Sequence, residues 1–250
     1  MAVQPEYFPV AEKTVAFDGE QGPSTAATLS TALTGNNNDL LFTAVTAGAD
    51  GNDITIRYVD PAAISQALAV SVSGTAITVS LATDGAGVIT STAAQVDAAI
   101  DALPAAAALV TPANKAANDG SGVVIAMAAA ALTGGMTPTT TLFTVTGLVS
   151  VKLIAKCTES LAGATATVAV GTAINTAGLL ASTTATDLDI NEIWHDATPD
   201  ASVEAIAVLA EKVVGQNIIQ TVGTAGVTDG TLVYCCLWKP ISSDGNVVAA

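Results

Sequence analysis

The sequence predicts a mainly β protein, with a small α+β domain in its N-terminal half and an antiparallel, jelly-roll-like β-sandwich in its C-terminal half. Two observations carry this. Apolar residues alternate with polar ones at period two through 54–58, 68–72 and 77–81, and the period then becomes helical over 92–103. Beyond residue 141, short β-prone runs are separated by Gly, Asn, Asp and Pro turns down to the C-terminus. A chain of 250 residues suffices for one large domain, or for two of about 100–150 residues, with a sizeable core.

Residues 1–38 read as an extended N-terminal arm. Pro5, Pro9 and Pro23, the GEQGPST turn cluster and the GNNN run at 35–38 oppose regular structure. Tyr7, Phe8 and Val10 form a short amphipathic patch and are candidate interface residues. They suit either a neighbouring subunit or the chain's own domain, and an ordered N-terminal strand fits them equally well.

The α+β module is expected over 39–135. Ile54, Ile56 and Tyr58 share one face against Thr55 and Arg57. Leu68, Val70 and Val72 lead into Gly74-Thr75, a hairpin turn, followed by Ile77, Val79 and Leu81. Thr92 and Gln95 fit a capping box for one helix over about 92–103. Val96, Ala99, Ile100 and Leu103 share a face of it, and Pro104 stops it. Val123 to Met127 reads as a further strand. GGMTPTTT at 134–141 supplies a linker, 136–141, before the second domain at 142–250.

Candidate strands of that second domain are Leu142–Val145, Val149–Lys156, Ala164–Gly171, Ala185–Trp194, Ser202–Val213, Ile218–Val222 and Thr231–Trp238. Ser202–Val213 fits a helix equally well, with Val203, Ala207, Ala210 and Val214 on one side. The last strand is apolar on both faces: Leu232, Tyr234, Cys236 and Trp238 on one, Val233, Cys235 and Leu237 on the other. Such a strand is central to a sandwich or buried at an interface, which makes Trp238 an interface candidate. The core draws on small β-formers, with four Phe, three Tyr and two Trp, so burial per residue is modest and neighbouring subunits are an expected source of stability.

Charge excludes several partners. Seven Lys plus Arg face 22 Asp plus Glu, a net −15, and Arg57 is the only cation between Lys13 and Lys115. Displacing counterions from phosphates needs clustered cations, so nucleic acid is not expected as a partner. Anionic membranes are disfavoured for the same reason, and the most apolar run, Val123 to Leu132, is too short to span a bilayer. The start, MAVQPEYFPVAEK, lacks the basic and then apolar pattern of a secretory signal. Cys157, Cys235 and Cys236 are an odd number with two adjacent, expected as free thiols in a reducing cytoplasm.

Residues for chemistry are sparse, so neither enzyme activity nor a cofactor is expected. The single histidine, His195, sits between Trp194 and Asp196 with no nucleophile beside it in sequence. Adjacent cysteines with one distant histidine lack zinc spacing. Asp50, Asn52 and Asp53, with Asp187 and Asp189, are the calcium candidates, but AGADGNDITIRY lacks the alternating ligands and terminal Glu of an EF-hand loop. Asp-Gly and Asn-Asp are also ordinary turn residues. No glycine run makes a phosphate loop.

The stretch DLLFTAVTAGADGNDITIRYVDP, LAVSVSGTAITVSLATDG, GVITSTAAQVDAAIDALPAAAALV resembles a small α+β module of tailed-bacteriophage structural proteins, tail-sheath-like and capsid-surface proteins among them. It covers less than a third of the chain. In the second half, ATVAVGTAINTAGLLASTTATDLDINEIWHDATPD and LVYCCLWKPISSDGNV look like segments of phage virion proteins of the head-decoration kind. The resemblance implies a structural virion protein made in the host cytoplasm and placed on the outer surface of the particle. Its most specific form is a decoration or cement protein bridging capsomers, with the major capsid protein or other virion proteins as partners. A homo-oligomer, a trimer at three-fold points, suits that position. Two alternatives stand beside it: a tail component (sheath-like, fibre or baseplate), and a glycan- or receptor-binding sandwich in which Trp194 would be the exposed aromatic.

Overall fold

The computed structural model describes residues 9–199, 202–203 and 208–250. The chain forms two compact units, one joining 9–23 to 137–250 and the other comprising Ser24–Met136. The second unit is therefore an insertion in the sequence of the first. β1 (Val10–Ala16) belongs to the first unit, and the chain then enters the second.

The inserted unit contains β2 (Thr28–Ser30), β3 (Leu40–Ala44), β4 (Thr55–Val59), β5 (Ala69–Ser73) and β6 (Ala76–Ser80). Two short helices follow, α1 (Ala93–Ala102) and α2 (Pro104–Ala107), and then β7 (Val110–Asn114) and β8 (Met127–Ala131). One antiparallel sheet has the order β2-β3-β7 and the other the order β5-β6-β4-β8, in which β4 and β6 run parallel. Phe42, Ile56, Tyr58, Val79, Val96 and Ile100 meet in one core. The hairpin closes over Gly74-Thr75, with Ser73 opposite Ala76 and Gly74 at φ 61°, a conformation glycine adopts without strain. Ile77, Val79 and Leu81 are buried, as their alternation requires.

The capping box forms at the start of α1. The Gln95 amide donates to Thr92 Oγ1 at 3.3 Å, and the Thr92 amide donates to Gln95 Oε1 at 2.9 Å. Thr92→Ala removes half of this box and should cost ~1 kcal/mol in urea unfolding. Pro104 ends α1 but does not end helical structure, because it sits at the first position of α2, where its missing N–H costs nothing. The strand expected at Val123 to Met127 begins only at Met127. The Val124 amide is committed to the Ser91 carbonyl beside the start of α1, so pairing with β4 begins further on.

The first unit resumes with β9 (Thr139–Thr146), β10 (Val149–Ala162), β11 (Thr167–Gly171), β12 (Leu180–Thr184) and β13 (Ile193–Trp194). β14 (Lys212–Val214), β15 (Ile218–Gly223), β16 (Asp229–Pro240) and β17 (Asn246–Ala249) complete it. One five-stranded sheet has the order β1-β16-β10-β13, with β14 also pairing to β10. The other runs β12-β11-β15-β9-β17, and every strand pairing in both is antiparallel. Their inner faces share one core built around Val151, Leu153, Val168, Ile218, Leu232 and Tyr234, so this unit is a β-sandwich in a mainly β molecule.

Over the described residues 9–38 the structure shows no extended arm but the expected alternative, an ordered N-terminal strand of the same chain. Val10–Ala16 is an edge strand of the sandwich, held to β16, while β2 belongs to the inserted unit. The boundary between the units falls at Met136 and Thr137, inside the GGMTPTTT stretch. Ala185–Trp194 is not one strand: only its last two residues, Ile193–Trp194, pair, as β13. Ala185–Asp187 is a 3-10 turn, the Glu192 amide bonds the Asp189 carbonyl, and Asn191 has φ 76°, so the turn-forming DLDIN residues override the β pattern. Of Ser202–Val213, residues 204–207 lie outside the described residues, and the strand found there is β14.

Candidate interaction face

The outward face of the β1-β16-β10 sheet follows from alternation along β16. Leu232, Tyr234 and Cys236 point into the core and are fully buried, while Val233, Cys235 and Leu237 point outward and are half-buried. Register extends each outward residue into a row: Val10–Leu237–Lys152, Glu12–Cys235–Ile154 and Thr14–Val233–Lys156. At one end of the sheet the chain adds Leu148, Val213 and Ile241. Val213 lies opposite Ser150, and the Ile241 amide bonds the Leu148 carbonyl at 2.9 Å. Leu148 rests on Gly215, where an added Cβ would lie 2.9 Å from Leu148 Cδ2. Val10, Leu148, Val213 and Ile241 are 56%, 47%, 64% and 52% exposed, the last three at adjoining positions and Val10 beside Leu237.

Charges of both signs frame this apolar surface: Lys152, Lys156 and Lys239 with Glu12, Glu211 and Glu159. Glu159 lies in the next row, Ala16–Thr231–Glu159, and accepts from the Thr231 hydroxyl at 2.9 Å. Lys239 Nζ lies 2.9 Å from Glu211 Oε1, which also accepts from the Ser150 hydroxyl. The Ser150 hydrogen bond first, and then Lys239, hold the Glu211 carboxyl below its ordinary pKa. Lys152 and Lys156 have no carboxylate within ion-pair distance among the described residues. The cysteines are free thiols: Cys157 and Cys236 are buried, and Cys235 is half-buried on the outward face, 3.6 Å from Glu12. Burial raises the pKa of all three.

Of the arm's interface candidates, Val10 lies on this face, while Tyr7 and Phe8 lie outside the described residues. The two tryptophans are placed elsewhere. Trp194 is fully buried, because pairing with Ala155 puts it in the inward row that also holds Tyr234, whose ring centroid is 6.5 Å away. It is therefore not the exposed aromatic of a glycan site. Trp238 lies opposite the buried Val151, faces inward and packs against the sandwich core. Tyr234 donates its phenol proton to Gln220 Oε1 at 2.6 Å, a fully buried bond across the sandwich.

The carboxylate candidates are scattered over turns. Asn52 spends its amide on the backbone of Gly135, donating to the carbonyl at 3.0 Å and accepting from the N–H at 2.8 Å. Asp50 and Asp53 are exposed at either side of it in the Ala49–Asp53 turn. Asp187 is exposed in its 3-10 turn, and the Asp189 amide is capped by Glu192 Oε2 at 2.8 Å. Among the described residues, no three His, Cys, Asp or Glu side chains converge as metal ligands. His195 Nδ1 lies 3.8 Å from Asp196 Oδ2 beside a cavity of about 280 Å³ lined by Leu153, Leu179, Leu209 and Lys212. The Asp196 carboxyl is held low chiefly by the Thr198 amide, and Lys212 donates to the Gly178 and Leu179 carbonyls at 2.6 and 3.2 Å. No family model matches the chain, and neither a curated protein nor a solved structure matches it.

The apolar character of β16 on both faces and the amphipathic patch that includes Val10 are the sequence signals for this surface. Leu148, Val213 and Ile241 give none, since they are distant in sequence and only the strand pairing brings them together.

Proposed function

We propose that this chain is a structural protein of a tailed-phage particle, a capsid decoration or cement protein that works by contact and not by chemistry. The observation that carries the proposal is the outward face of the β1-β16-β10 sheet, where exposed Val10 flanks half-buried Leu237, exposed Leu148, Val213 and Ile241 adjoin at one end, and lysines and glutamates lie among them. Burying such a patch at many repeated positions stabilises a shell by roughly 25 cal/mol for each Å² of apolar surface removed from water. The resemblance of residues 39–110 and of two stretches in the sandwich to phage virion proteins supports the same assignment. A homo-oligomer on the outer surface of the head, anchored to the major capsid protein, is the arrangement proposed, with a trimer as its form. The module at 39–110 supports a tail component as well, and copy number separates the two. Quantitative mass spectrometry of purified particles of a phage encoding this chain should find it at a ratio near one per major capsid subunit. A few tens of copies would assign it to the tail, and absence from the particles would reject a virion role.

A further inference from the structure

Unpaired N–H and C=O groups on an edge strand are a template for pairing with another chain, and charge, proline, bulges or short length oppose it. Most edges here carry such a device. In the sandwich, β1 has Lys13 at an inward position and β12 pairs through a register shift. In the inserted unit, β7 contains Pro112 and β8 pairs with β4 through a register shift. β2, β14 and β17 have only three or four residues. β5 has none of these devices. It reads Ala-Val-Ser-Val-Ser, pairs with β6 residue for residue, and lies in a stretch, Pro61 to Thr83, with no charged side chain. The pairing on its inner side fixes which of its groups are free. The Thr55 amide of β4 donates to the Thr75 carbonyl, so Ala76 and Thr78 turn their own backbone groups toward Ser73 and Ser71. Val70 and Val72 therefore direct N–H and C=O away from the sheet, and among the described residues nothing bonds them. Their side chains lack cover on the same side. Val79 and Ile77, opposite them on β6, are buried, whereas Val70 and Val72 pack on that core and stay half-buried.

We infer that β5 pairs antiparallel with β5 of a second copy of this chain, about a two-fold axis at Ser71. The strand is complementary to itself in that register. Val70 lies opposite Val72 of the second copy and Val72 opposite its Val70, each pair exchanging both backbone bonds, while the two Ser71 face each other at the axis. The valine pairs bury the sides that one copy leaves open. The uncharged stretch lets two chains of net charge −15 meet with no like charges between the paired strands. Such a contact is isologous and closes with two copies. It uses the inserted unit and does not depend on the virion assignment.

The contact is tested on the purified full chain, away from any particle. Sedimentation velocity should give the unaltered chain about twice the mass of Ser71→Asp, which sets two carboxylates opposite each other at the axis. Ser71 is exposed, so the circular dichroism spectrum and thermal unfolding of each single variant should show an intact fold. Ser71→Lys should lower the mass in the same way, and mixing it with Ser71→Asp should restore the pair, since unlike charges then face each other. In a Cys235→Ser background, Ser71→Cys should form a disulfide between chains under mild oxidation, because the two positions are directly opposite. Ser73→Cys in the same background should not, since its counterpart lies several residues further along the partner strand. Equal masses for the unaltered chain and Ser71→Asp, no recovery on mixing, or cross-linking at 73 as ready as at 71 overturns the inference.

Discussion

Trp194→Ala should destabilise the sandwich by ~3–5 kcal/mol, the cost of emptying an aromatic site in a close-packed core. Trp194 is among the largest fully buried side chains, and its ring leans on Tyr234 at an interplanar angle of 59°. β13 is only two residues long and, among the described residues, pairs only with β10, so none of them forms a strand on its other side that can collapse into the space. The loss should appear in urea unfolding as a lower midpoint at an unchanged slope. Trp194→Phe provides the control. The indole Nε1 has no hydrogen-bond partner among the described residues, so its burial is uncompensated. Replacing it with an apolar ring removes that penalty while keeping most of the packing. Phe should therefore cost much less than Ala. Equal losses for the two would show that the nitrogen, not the ring volume, holds the site.

What the sequence reveals here depends on how far apart the partners are. The Gly74-Thr75 hairpin and the Thr92 capping box are legible because each is decided by residues within a few positions of one another. β1 is legible only as one of two options, a strand or an arm, since its partner is more than two hundred residues away, Val10 opposite Leu237. Its alternation is also disguised: Lys13 takes an inward position, where its ammonium reaches the Ala250 carbonyl. Period two identifies β4, β5 and β6 as strands but not their order, and β6 inserts between the other two and runs parallel to β4. Trp194 was misplaced for a local reason. Turn residues before it end the apparent long strand, and a short pairing with Ala155 then carries the indole inward. The interaction face lies at the far limit of legibility: Leu148, Val213 and Ile241 become neighbours only when β10, β14 and β16 are hydrogen-bonded side by side.

Stability should also fall steeply on the alkaline side, and the sign follows from which form each buried group must adopt. Cys236 is fully buried, and burial first, then the adjacent Cys235, raises its thiol from 9.0 to about 12. Burial pushes the Tyr234 phenol well above its ordinary value, and burial with Asp39 and Asp97 does the same to Tyr58. All three are neutral when protonated, and the fold keeps the proton at a pH where the unfolded chain has released it. The unfolded state then binds fewer protons, so the free energy of unfolding decreases as pH rises. For Cys236 the contribution is whole below pH 9.0 and is lost as pH climbs toward about 12. That gap corresponds to ~4 kcal/mol at its upper end. The tyrosines add losses of the same sign from about pH 10 upward. Urea midpoints measured from about pH 8 to about pH 11 should decline throughout the upper half of that range. Cys236→Ala should lower the midpoint at neutral pH through the lost packing yet flatten the decline, because one buried acid is gone. A stability that stays level across the range would mean that water reaches these groups and that the β16 core row is not sealed.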